Sequence, residues 1–191
     1  MRELIKLSGI LMLITLTAAT ALSNVYLLTR DRIAAVELAR EENARRAALP
    51  AAVYFEADTL QDGFVLYRGY DNPQGSGTPV GYTVLALGKG YSSTIRTVVG
   101  MDAGMNITGI KVAFQQETPG LGTKVEEIKG QDKEPWFQKQ FRGKREDQLV
   151  VVRTKNPEAV EAITGATISS TAVTRSVREA VRKLKEVLKE S

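Results

Sequence analysis

In this 191-residue chain, the residue types and spacing best suited to chemistry are in Thr164-Gly165-Ala166-Thr167-Ile168-Ser169-Ser170. Thr164 and small residues lead to the Thr167 hydroxyl, and more hydroxyls follow. Beyond them Val173, Val177, Val181, Leu184 and Leu188 recur at helical spacing among Arg and Lys, so a helix is expected there. Ser169, Ser170 or Thr171 can supply its N-cap by accepting a bond from a first-turn amide. Thr167 is therefore expected on a tight loop just ahead of a helix N-terminus. Free N–H groups and the positive dipole end make that a favourable place for phosphate. Gly165 and Ala166 let a bulky group approach the backbone closely. The same residues also suit an ordinary Gly-containing turn with a Ser/Thr cap.

A second stretch, Glu117-Thr118-Pro119-Gly120-Leu121-Gly122, follows a strand pattern. By chemistry alone it is a Pro-Gly turn in which Gly120 can take positive φ. Taken together the two stretches carry a resemblance. Glu161-Ala162-Ile163-Thr164-Gly165-Ala166-Thr167 resembles the flavinylation motif of the FMN-binding domains of two bacterial redox complexes: Rnf, a ferredoxin:NAD oxidoreductase, and Nqr, a sodium-translocating quinone reductase. The family usually has Asp where Glu161 stands. E-T-P-G-L-G resembles the second hallmark of that family, and the two occur here in the family's order.

The resemblance implies one covalent FMN per chain, its phosphate joined to the Thr167 hydroxyl by a dedicated flavin transferase that takes FMN from FAD. It implies cofactor-binding roles for Thr164, Gly165, Ala166 and Ser170 around that hydroxyl. It also implies roles for Glu117, Thr118 and Leu121 in a loop against the flavin ring, with Thr118 bonding a ring edge and Leu121 covering a face. The implied function is a membrane-anchored electron carrier without a complete active site of its own, partnered by the other membrane and peripheral subunits of an Rnf complex. Length favours the G subunit of Rnf over the longer C subunit of Nqr. Two further readings stay open: an anchored non-redox binding module, and another flavinylated enzyme acting on a small molecule.

Composition narrows the chemistry independently. There is no Cys, which excludes thiolate-held iron–sulfur clusters, disulfides and Cys nucleophiles. There is no His, which excludes imidazole zinc sites, ordinary haem ligation and Ser-His-Asp catalysis. Redox chemistry on this chain thus needs an organic cofactor, and no metal site or catalytic residue is assigned. The net charge of +4 comes without a nucleic-acid-binding signature. No Gly fingerprint for a dinucleotide follows a first strand, so NAD is expected to bind elsewhere.

The elements that must position these stretches follow the chain. Leu7 to Leu28 has no charged residue and is long enough to span a bilayer. A cleaved secretory signal ending at Ala19-Thr20-Ala21 is the competing reading, but the apolar run continues past it. Arg and Lys flanks favour a cytoplasmic domain by the positive-inside count, a rule that weakens before a long folded domain. The resemblance implies the inner (cytoplasmic) membrane with the domain on the extracytoplasmic side. Residues 30–50 read as a helical stalk with i,i+4 pairs Glu41–Arg45 and Glu42–Arg46, stopped by Pro50. Strand patterns cover 64–67, 82–87, 94–101 and 107–114, with Ile95, Thr97, Val99 and Met101 on one side of the third. A helix is expected within 131–144, its Trp136, Phe137 and Phe141 on the core, and a buried strand over 149–152. The expected fold is α+β: an anchor (1–29), a stalk (30–50) and one domain (51–191) with a largely antiparallel sheet and flanking helices.

Overall fold

The computed structural model describes residues 1–60 and 63–190; positions 61, 62 and 191 of the expected domain lie outside the described residues. Helix α1 spans Arg2–Ala48. The chain divides into two compact units, Met1–Arg40 and Glu41–Ser191.

The first unit is a stretch of α1 whose apolar residues are all exposed, and it is long and apolar enough to cross a membrane. Its threonines and Asn24 are satisfied locally. Thr15, Thr17, Thr20 and Thr29 each donate to the carbonyl four residues back, at 2.8–3.0 Å, and Asn24 Nδ2 donates to Thr20 O at 2.8 Å. This is the arrangement that hydrocarbon requires, since no water is available there to take an unpaired donor.

In the second unit, β1 (Tyr54–Thr59), β2 (Val65–Tyr70), β3 (Gly81–Lys89), β4 (Thr94–Asp102) and β5 (Ile107–Phe114) form an antiparallel sheet in sequential order. The alternation expected in β4 is present: Ile95, Thr97, Val99 and Met101 are buried on one face. That face packs on α3 (Thr167–Glu190). Val173, Val177, Val181 and Leu184 of α3 are fully buried, each contributing about 1.5–3 kcal/mol.

The other face of β4 is also covered, which its sequence pattern does not signal. Ala44 and Ala48, in the last turns of α1, pack on Val98. Their approach is close because Gly100 has no side chain: a Cβ there would stand 2.2 Å from Ala48 O. The Thr108 hydroxyl donates to that same carbonyl at 2.6 Å, satisfying the helix end. The expected stalk pairs are affected accordingly. Arg46 does bond Glu42 at 2.8 Å. Glu41 instead pairs with Arg96 at 3.5 Å, and Arg45 lies over the Tyr67 ring at 4.1 Å, because this end of α1 faces the sheet rather than solvent.

Two further expectations are corrected. Within 131–144 only one turn is helical, α2 (Trp136–Lys139). Pro135 sets its start and Gly143, at φ +75°, turns the chain away after it. Phe137 and Phe141 still reach the core, edge-to-face at 5.5 Å. Over 149–152 the strand is only β6 (Val151–Val152), half-buried, in a parallel pair with β7 (Val160–Glu161).

Candidate functional site

The T-G-A-T loop joins β7 to α3. Gly165 takes φ +80°, a conformation costly for any residue with a Cβ, and Ala166 N–H closes the turn onto Ile163 O at 2.9 Å. Ser170 N–H then bonds Ala166 O at 3.0 Å, the first bond of α3. Thr167 is therefore the first residue of the helix itself and is exposed. The expected caps lie inside the helix, not at its start. Thr171 is an exposed helical residue. Ser170 is buried, its hydroxyl donating to Ala166 O at 2.9 Å and accepting from Ile163 N–H at 3.0 Å. It shapes the loop from beneath. Ala166, also buried, takes the cap position with no side-chain oxygen, and the first-turn amides of Thr167, Ile168 and Ser169 have no acceptor among the described residues.

Beside this loop stands the E-T-P-G-L-G loop. Glu117 is buried, and five donors converge on its carboxylate. Tyr91 N–H bonds Oε2 at 2.9 Å, and Ser92 N–H, Ser93 N–H and Ser93 Oγ–H bond Oε1, each at 3.0 Å. Ser169 Oγ–H, in the first turn of α3, donates to Oε2 at 2.6 Å. Burial pushes the Glu117 pKa up, but the Ser169 hydroxyl and the three backbone amides outweigh it and hold the pKa at about 2. Glu117 thereby ties the β3–β4 turn, its own loop and the start of α3 into one assembly. Beyond it the chain turns at Gly120 (φ +75°) and exposes Thr118 and Leu121. Leu121 reaches the T-G-A-T loop: a Cβ on Gly165 would stand 3.2 Å from Leu121 Cδ2.

On another side of Thr167 a groove of about 380 Å³ runs between residues 149–153 and α3. Thr167, Thr171, Thr174, Arg175 and Arg178 line its helical wall, and Arg153 lies at the end of the strand wall.

Of the residues singled out from sequence, Thr164, Gly165, Thr167, Thr118 and Leu121 are exposed around one location, while Ala166, Ser170 and Glu117 lie beneath it. Sequence reasoning missed Ser169 as the partner of Glu117. It also missed the Tyr91–Ser93 turn, where Tyr91 is 72% exposed beside the site, and the Arg-lined groove. The run Gly88-Lys89-Gly90-Tyr91-Ser92-Ser93 between two strand patterns was the available signal for the turn.

A family model described as FMN-binding domain matches residues 90–182, a span that holds both loops, the Tyr91–Ser93 turn and Thr167. The chain is 33% identical to the G subunit of the Na(+)-translocating ferredoxin:NAD(+) oxidoreductase complex of Acetobacterium woodii, covering 93% of this chain and 89% of that one. It is 31% identical to the G subunit of the ion-translocating oxidoreductase complex of Methanosarcina acetivorans, covering 94% of each. The chain belongs to the G-subunit family of ion-translocating oxidoreductase complexes. Its fold is similar to that of the crystal structure of Shewanella oneidensis NqrC, with a TM-score of 0.52 and 24% identity over 74% of this chain and 73% of that one.

For this member of the G-subunit family, Glu117→Gln tests the clamp. The substitution removes the charge and adds a donor among donors, so a loss of about 2–3 kcal/mol at pH 7 is expected. The folded pKa lies below the unfolded value of 4.5. The stabilisation is therefore complete above about pH 4.5 and is lost as pH falls toward about 2. Urea unfolding of wild type and variant at pH 7 and pH 3 should show the gap narrowing on acidification. An equal gap at both values would contradict the clamp.

Proposed function

We propose that this chain is the membrane-anchored electron-carrier subunit of an ion-translocating oxidoreductase of the Rnf type, bearing one FMN through a phosphoester at Thr167. The observation that carries this reading is the Thr167 side chain. It is exposed at the first position of α3, behind a left-handed glycine and beside the loop that Glu117 fixes. The residues present fit the group. Open first-turn amides and the helix dipole suit a phosphate on Thr167. Leu121, 44% exposed, offers apolar cover next to the tether, and Thr118 offers a hydroxyl. The absence of Cys and His leaves this chain no redox-active or metal-holding thiolate or imidazole of its own. When bound, FMN would supply the electron chemistry, and the protein would supply orientation and tuning.

In the proposed attachment the Thr167 oxygen would join the FMN phosphorus of FAD as the phosphoanhydride bond to AMP breaks; AMP would leave, and the hydroxyl proton would pass to a base of the transferase. Thr164, Gly165 and Ala166 would shape the loop for that enzyme, and Ser170 would hold it from beneath. Relatives named as complex subunits support the presence of partner subunits for this chain too. The apolar span of α1 supports anchoring. We place the domain on the extracytoplasmic side, where the family's transferase works. A charged flank does not prevent translocation of a domain this long.

Two tests address the reading. Full-length protein made with a flavin transferase should remain fluorescent in a denaturing gel, Thr167→Ser should retain some signal, and Thr167→Val should lose it. Fluorescence persisting in Thr167→Val would move the attachment elsewhere. For sidedness, Ala103→Cys places a lone thiol on an exposed turn of a Cys-free chain. A membrane-impermeant maleimide should label it in spheroplasts. Labelling only after lysis would put the domain inside.

A further inference from the structure

The groove beside Thr167 contains a strand edge that the fold does not use. β6 pairs with β7 through Val160 N–H to Val150 O at 2.9 Å and Ala162 N–H to Val152 O at 2.8 Å. In a parallel ladder successive residues turn their N–H and C=O to opposite edges. Val151 therefore directs both groups away from β7, and neither has a partner among the described residues. The groove is lined by 149–153 and α3 and by no residue of β7, so this free edge is the one that borders it. Val150 to Val152 give the groove an apolar wall, and Thr167 opens onto it. Arg153, Arg175 and Arg178 line it as well, and Arg153 and Arg178 make no ion pair among the described residues.

A donor and an acceptor side by side, next to apolar surface, complement a planar ring with an acceptor and a donor adjacent on one edge, as imide rings and adenine have, and the guanidinium groups nearby favour one that also carries negative charge. The pyrimidine end of a flavin has this pattern at C2=O, N3–H and C4=O, and the reduced ring holds its negative charge at N1 and C2=O.

We propose that the groove is the seat of the flavin's pyrimidine end, with N3–H donating to Val151 O and Val151 N–H donating to C4=O. Arg153, Arg175 and Arg178 then sit toward the N1–C2=O edge, where they favour the reduced form. The opposite, apolar end of the ring is left toward Leu121. This inference rests on the reading of Thr167 as the FMN-bearing residue. It adds what that reading lacks, a recognition surface on the far wall and a set of residues that tune the cofactor.

The test uses full-length flavinylated protein in detergent, with intact mass measured first. Amide exchange at Val151 should slow about tenfold relative to Thr167→Val, the factor that one net hydrogen bond supplies. Arg153→Gln, Arg175→Gln and Arg178→Gln, all at exposed positions, should keep full flavin mass and wild-type circular dichroism. At least one of them should lower the flavin midpoint potential. Unchanged Val151 exchange in protein with full FMN mass would overturn the placement. Unchanged potentials in all three variants would overturn the tuning role. Wild type without FMN mass would instead sink the carrier reading beneath it, a result visible before exchange is measured.

Discussion

One buried carboxylate holds three separate pieces of chain in register. Glu117 receives bonds from the Tyr91–Ser93 turn and from Ser169, 52 residues later in the sequence. A carboxylate can accept this many donors at once, and a neutral amide cannot. Charge-assisted bonds of this kind are among the stronger ones available to a protein. The clamp hydrogen-bonds the E-T-P-G-L-G loop to the first turn of α3, beside the close packing of Gly122 on Ser169 and of Leu121 on Gly165. With it, Thr167 is presented from a fixed surface. Under the proposed function, a fixed surface would let a transferase dock to modify a single hydroxyl, and would keep a tethered cofactor in one position relative to its partners.

The sheet gives this assembly its support. α3 buries four aliphatic side chains on one face of β3 and β4. The last turns of α1 occupy the other face, close enough to need glycine at 100. The layer order explains why β4 is buried without interruption from Thr97 to Met101. It also brings the two ends of the domain's sequence onto one sheet, so the helix behind the T-G-A-T loop rests on the same strand that receives the end of α1.

Local pattern made most of the architecture legible. The alternation of Ile95, Thr97, Val99 and Met101, the turn at 102–106 and the helical spacing from Val173 to Leu188 each encode their own structure, and all three are present. The sequence failed where a residue's role depends on a distant partner. Ser169 and Ser170 look like caps because Ser commonly caps helices. One instead serves Glu117, and the other serves the turn behind it. Glu41 and Arg45 have the spacing of a solvated ion pair, but the sheet offers Arg96 and Tyr67 in its place. The aromatic-rich segment 131–144 suggested a longer helix than Pro135 and Gly143 allow. The free edge of Val151 has no sequence signature at all, since it arises from which neighbour β6 pairs with.

The proposed chemistry is local: one flavin phosphate on one hydroxyl. The most direct measurement is fragment mass spectrometry of the tryptic peptide Asn156–Arg175 from flavinylated protein. That peptide carries Thr164, Thr167, Ser169, Ser170, Thr171 and Thr174 together. Every fragment retaining Thr167 should be heavier by one FMN less one water, and fragments ending before it should not. Added mass on Thr164, or on a hydroxyl beyond Thr167, would move the attachment away from Thr167, because those positions lack its exposed first-turn setting.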